Sequence, residues 1–176
     1  MLVVMLAAPL LHSGADSARA AGATPPARPA LNLPVTFERF AYVTRDRARF
    51  RSPQLRAYAA LTANPCLTYT YGVNGRSSTG TMTYSWAEEV GWCYNGSRVT
   101  YASTAYLPRA GFGWTYLGID NKTERWASDG SFFQARSVAT FGLTCISGGC
   151  SFYRFPYVSV VVYGNGTYSG AGSAND

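Results

Sequence analysis

At 176 residues the chain is long enough for one ordinary domain with a core of its own, and its 15 Lys+Arg against 9 Asp+Glu give a net charge of +6. Its single histidine, His12, lies in an apolar amino-terminal stretch that reads as an export signal, so the exported product contains no imidazole. That excludes a Ser-His-Asp triad, a Cys-His pair and a His-bearing zinc site, and leaves carboxylate chemistry or binding without chemistry.

Leu2 to Leu11 is a nearly unbroken apolar run, followed by small and polar residues and then Ala18-Arg19-Ala20, a small-x-small site for signal peptidase. The run is about half of the roughly 20 residues that a membrane-spanning helix needs, so residues 1–20 are expected to be a cleaved signal rather than an anchor. Residues 21–34 contain Pro25, Pro26, Pro29 and Pro34 without a periodic apolar pattern, and read as a Pro/Ala-rich tether. Lys122 is the sole lysine, which together with the alanine content points to a GC-rich bacterial genome.

Residues 35–65 form a basic segment with Arg39, Arg45, Arg47, Arg49, Arg51 and Arg56 against Glu38 and Asp46. Phe37, Phe40, Val43 and Phe50 follow no clean period, so its first part is expected to be irregular or weakly strand-like. Ser52-Pro53 ahead of Gln54–Leu61 predicts a short capped helix, ended by Asn64-Pro65.

From Cys66 the composition turns to Tyr, Thr, Val, Trp and Phe cut by glycine-bearing turns, the pattern of an all-β domain over 66–169. Leu67, Tyr69, Tyr71 and Val73 alternate with threonines, and Asn74-Gly75 reads as a turn. Strands are expected over 81–94 and 99–107, joined at Asn95-Gly96, and again over 112–119, before a polar loop from Asp120 to Thr123. Phe133, Ala135, Ala139, Phe141 and Leu143 line one face of the next strand. Residues 157–163 are apolar on both faces and should lie centrally in a sheet. A glycine- and serine-rich tail over 170–176 is expected to fray. The whole predicts an antiparallel two-sheet β-sandwich of six to eight strands, immunoglobulin-like or jelly-roll-like, with a short amino-terminal helix.

Four cysteines in an exported chain predict two disulfides. Cys145 and Cys150 bracket a four-residue glycine-bearing loop at a hairpin mouth, which leaves Cys66 to pair with Cys93. A zinc site is the competitor, but CxxC spacing is absent, and no metal or cofactor is expected.

Candidate sites each have a plainer reading. Trp114, Tyr116 and Trp126, with Asp120, Lys122 and Arg125 nearby, offer flat rings and hydrogen-bonding groups for a sugar. The plainer and favoured reading makes both tryptophans core residues at the sandwich ends. Strict alternation puts Glu88 on the aromatic face of Met82, Tyr84, Trp86, Val90 and Trp92, where desolvation would make it a general acid. Asp120, Glu124 or Asp129 would then be the second carboxylate of a glycosidase pair. The favoured alternative is a bend that sends Glu88 and Glu89 to solvent or an arginine. Arg39, Arg45, Arg47, Arg49 and Arg51 would suit an anionic cell-wall polymer, or simply stay solvated; nucleic acid is not an expected partner. The loop Ile146–Gly149 resembles an inhibitor loop only in being short and pinned. Asn95, Asn121 and Asn165 begin Asn-x-Ser/Thr triplets in turns that favour Asn anyway. The expectation is a secreted, non-enzymatic binding domain for envelope carbohydrate or an extracellular protein, with a small glycan hydrolase and an inhibitor or toxin-like protein as alternatives.

Overall fold

The computed structural model describes residues 36–174, and the export signal and tether read over 1–34 lie outside the described residues. Two antiparallel sheets and one α-helix build a sandwich-like all-β fold. The first sheet contains β1 (Thr36–Thr44), β2 (Cys66–Arg76), β3 (Met82–Tyr94) and β4 (Val99–Tyr106) in that order, with the two-residue β5 (Arg109–Ala110) also paired to β3. The second contains β6 (Trp114–Trp126), β7 (Phe132–Ile146), β8 (Gly149–Arg154), β9 (Tyr157–Tyr163) and β10 (Tyr168–Ser173), in the order β10-β9-β7-β6, with β8 also paired to β7. Ten strands therefore stand among the described residues where six to eight were expected. Each sheet is a meander of neighbours in sequence, without the long return connection of the Greek keys in immunoglobulin-like and jelly-roll sandwiches.

Alternation explains the core. Tyr69, Tyr71 and Val73 of β2, and Tyr84, Trp86, Val90 and Trp92 of β3, face Phe133, Ala135, Ala139, Phe141 and Leu143 of β7 and Val158, Val160 and Val162 of β9. The strand apolar on both faces, β9, lies between β10 and β7 as its composition predicted. A second, smaller cluster lies on the opposite side of the first sheet. There α1 (Pro53–Leu61) packs Leu55 and Ala59, with Phe50, over the Cys66–Cys93 disulfide. Ser52 caps this helix by accepting from Leu55 N (3.1 Å). A side chain at Gly91 would collide with Leu55, so this glycine is what lets the helix close on the sheet. Both disulfides join directly opposed residues of antiparallel neighbours, Cys66 with Cys93 across β2 and β3, and Cys145 with Cys150 across β7 and β8.

Several boundaries move. The basic segment is not separate from the β-domain: β1 pairs with β2 along all nine of its residues, supplying the first sheet's edge. Asn74-Gly75 lies inside β2, because Gly75 is packed against the Tyr84 ring, and the turn falls at Ser77–Gly80. Asn95-Gly96 and Asn165-Gly166 do form turns, with Gly96 at φ 99° and Gly166 at φ 86°. The expected loop from Asp120 to Thr123 is part of β6, which absorbs two register shifts, between Tyr116 and Gly118 and between Ile119 and Asn121, and continues to Trp126. Most of the expected frayed tail is β10, where Gly170 leaves the room that the Tyr71 ring fills.

Candidate functional site

The feature that breaks the aromatic core is Glu88. Its strand runs without a register shift from Met82 to Cys93 apart from the pairing irregularity opposite Gly75 and Arg76, so alternation carries Glu88 inward, opposite Tyr71 on β2 and Tyr106 on β4. The bend expected to send it to solvent does not occur. Its side chain has no solvent exposure, and one oxygen, Oε2, accepts from Ser137 Oγ of β7 (3.4 Å). The other oxygen, Trp86 Nε1 and Tyr106 Oη are buried without a hydrogen-bond partner among the described residues. Burial pushes the Glu88 carboxyl up to about 8, the Ser137 hydrogen bond partly offsets this, and the charge of Glu124 adds to it. The Tyr106 hydroxyl is raised to about 12, first by burial and then by Glu88 and Glu124. Burial thus favours the protonated form of Glu88. A general acid must come within hydrogen-bond reach of the atom it protonates, and Glu88 is sealed between the sheets.

Of the other prospective carboxylates, Glu124 is the one whose charge reaches Glu88. Glu124 is exposed on β6, opposite Ala135, and Asp120 is exposed at the second register shift. Asp129 closes the β6–β7 turn, where the Ser131 N–H (2.9 Å) holds its carboxyl below the ordinary carboxylate range.

The sugar platform read from sequence does not assemble. Trp114 and Trp126 occupy opposite ends of β6, paired with Leu143 and Phe133, which are ten residues apart on β7 or roughly 33 Å at about 3.3 Å per residue. Trp114 is buried against Tyr84 (ring centroids 5.3 Å), and Tyr116 packs on Trp86 (6.0 Å) and Phe141 (5.4 Å). The plainer reading therefore holds for Trp114. Trp126 is half exposed and rests on Phe133 (5.0 Å), while its neighbour Arg125 points to the other face of the strand.

The arginines of the basic segment are largely engaged within the molecule. Arg39 donates to Gly172 O (3.0 Å), Arg47 to Ala59 O and Asn64 O, and Arg56 to Phe50 O (3.0 Å). Arg49 pairs with Asp46 (3.2 Å). Arg51 pairs with Glu89 Oε2 (3.4 Å), to which Thr70 Oγ1 also donates (3.3 Å). Glu89 points away from the core, to the outer side of the first sheet, and there it meets an arginine as the plainer reading expected. Burial raises its carboxyl, and Arg51 counters the effect without cancelling it.

That outer side carries a concave surface beside these groups. Along β2 and β3 its residues run Cys66, Thr68, Thr70, Gly72, Asn74 and Cys93, Gly91, Glu89, Ala87, Ser85. Helix α1 covers the disulfide end, and the Arg51–Glu89 pair occupies the middle. Beyond them lies a groove of about 510 Å³ over the small residues Ala87 and Ser85. Phe40 and Tyr42 of β1 form one wall, and Leu107, Pro108 and Arg109 the other, with Asn74 and Arg51 adding polar groups. Phe40 sits where a Gly72 side chain would otherwise be. The volume falls within the range of small-ligand sites, which combine apolar walls with a few polar groups. Tyr42, Asn74 and Arg109 were not singled out from sequence. The available signal was the run of small residues on the outer parity of strands whose inner parity is aromatic.

Among the described residues no helix is long and apolar enough to cross a membrane, and no group of three or more His, Cys, Asp and Glu is placed to hold a metal ion. No protein-family model, curated protein or solved structure matches the chain.

Proposed function

We propose that the chain is a secreted, non-enzymatic binding domain that takes an envelope glycan in the groove between β1 and the Leu107–Arg109 segment. The groove itself carries this reading: the rings of Phe40 and Tyr42 suit the C–H face of a sugar, and Arg51, Arg109 and Asn74 suit its hydroxyl and acidic substituents. Two disulfides agree with work in an oxidising compartment. The enclosure of Glu88, which has no solvent exposure, favours binding over a glycoside hydrolysis that would use Glu88 as its acid.

The test is affinity electrophoresis and calorimetry with neutral and uronic-acid-containing envelope oligosaccharides. Tyr42→Ala and Arg109→Ala are expected to weaken retention about tenfold or more while the far-UV spectrum is unchanged, with Glu88→Gln retaining binding. Hydrolysis abolished by Glu88→Gln would favour the hydrolase reading instead. Retention indifferent to both groove substitutions would refute the assignment.

A further inference from the structure

One end of the molecule presents apolar side chains that the fold does not use. Phe112 is 91% exposed and Ile146 76% exposed, and both lie where β6 begins and β7 ends. Thr144 N donates to Gly113 O (2.8 Å), which ties the backbone next to Phe112 to the backbone two residues before Ile146 and brings the two turns to the same end of the sheet. The Cys145–Cys150 disulfide closes the loop that carries Ile146. Thr144, at φ 47°, is the only non-glycine residue with positive φ among the described residues, a backbone conformation that side chains disfavour.

The two segments themselves carry only positive charge. Residues 107–113 and 144–156, which form this end and the strand leading from it, include Arg109 and Arg154 and not one Asp or Glu. Arg109 is exposed three residues before Phe112. Tyr153, 41% exposed on β8, reaches toward the tip, where its hydroxyl accepts from Cys150 N (3.1 Å). Aliphatic and aromatic tips, a tyrosine behind them and the exposed Arg109 form a combination that suits a lipid interface. The apolar groups enter the acyl boundary, and the cations meet anionic headgroups.

We infer that this end docks on an anionic phospholipid surface, with Phe112 and Ile146 as the inserted anchors and Arg109 at the headgroups. The site is distinct from the groove, although Arg109 borders both.

Sedimentation with vesicles tests this, using the purified full chain with phosphatidylcholine alone and with phosphatidylglycerol added. Binding is expected only to the anionic vesicles and should weaken with salt. Phe112→Ser and Ile146→Ser should each lower vesicle affinity about tenfold or more, since neither residue is part of the core and near-UV dichroism will report an intact fold. Arg109→Gln should reduce the preference for anionic lipid. Tyr42→Ala should leave vesicle binding intact, which separates a failure of the groove assignment from a failure here. Absence of wild-type binding to anionic vesicles, or binding that survives both serine substitutions, overturns the inference. So does sedimentation equilibrium showing that Phe112 and Ile146 instead join two copies of the chain.

Discussion

Replacing Glu88 with Gln keeps the side chain's size and an oxygen to accept from Ser137, and removes only the capacity to ionise. In the folded protein this carboxyl is raised from its ordinary value of 4.5 to about 8. Between those two pH values the folded state therefore holds a proton that the unfolded state has released. Stability from Glu88 is complete below about 4.5, falls as pH rises, and levels off above about 8. The slope is roughly 1.4 kcal/mol per pH unit, so that from pH 5 to pH 8 the wild type loses on the order of 3 kcal/mol through this residue alone. Urea unfolding at pH 5, 6, 7 and 8 with disulfides intact measures it. Glu89 is also raised by burial and contributes a slope of the same sign in both proteins, so the difference between wild type and Glu88→Gln isolates Glu88. The variant should gain on the wild type steadily across this range. Parallel stability profiles would mean that Glu88 is hydrated or ionised in the folded state, and the enclosed-acid description would be wrong.

The two tryptophans of β6 should separate cleanly. Trp114→Ala removes a buried ring and is expected to cost about 3–5 kcal/mol, whereas Trp126→Ala, half exposed, should cost far less; comparable losses in denaturant melts would contradict their placement. Substituting Cys66 and Cys93 together should destabilise by about 3–4 kcal/mol on the chain-entropy model, against about 2 for Cys145 and Cys150, whose loop is much shorter. The first substitution also disturbs the packing of Phe50 and Leu55, so a larger loss from the second pair would count against this account of the helix's support.

What was legible in the sequence follows from local physics. Two-residue alternation located β2, β3 and β7 and their inner faces, the unbroken apolar run located β9, the Ser52-Pro53 pair located the helix, and loop length paired the cysteines. Polar composition failed where position in the sheet mattered more than chemistry. The residues from Asp120 to Thr123 read as a loop because an edge strand can wet its side chains and still keep its ladder to β7. The tail was misjudged for the converse reason: its glycines were taken for freedom, but they are the space in which Tyr71 packs. For Glu88, strict alternation gave the correct side, while the favoured bend toward solvent does not form. Burial there raises the carboxyl's pKa and so lowers the cost of enclosing it. The groove needed coordinates, since its walls come from β1 and from residues 107–109, about sixty residues away.

The connectivity divides the polypeptide at a single place. Every strand of one layer precedes residue 111 and every strand of the other follows residue 113, so all ladder hydrogen bonding is completed between stretches close in sequence. Only the meeting of the layers joins distant parts of the chain. During synthesis the earlier half can finish its own pairing while its face of tyrosine and tryptophan still waits for a cover. Until that cover arrives Glu88 stands in water and carries its charge, which keeps the bare face from being purely greasy; the act of closure then extracts a neutral acid from solution.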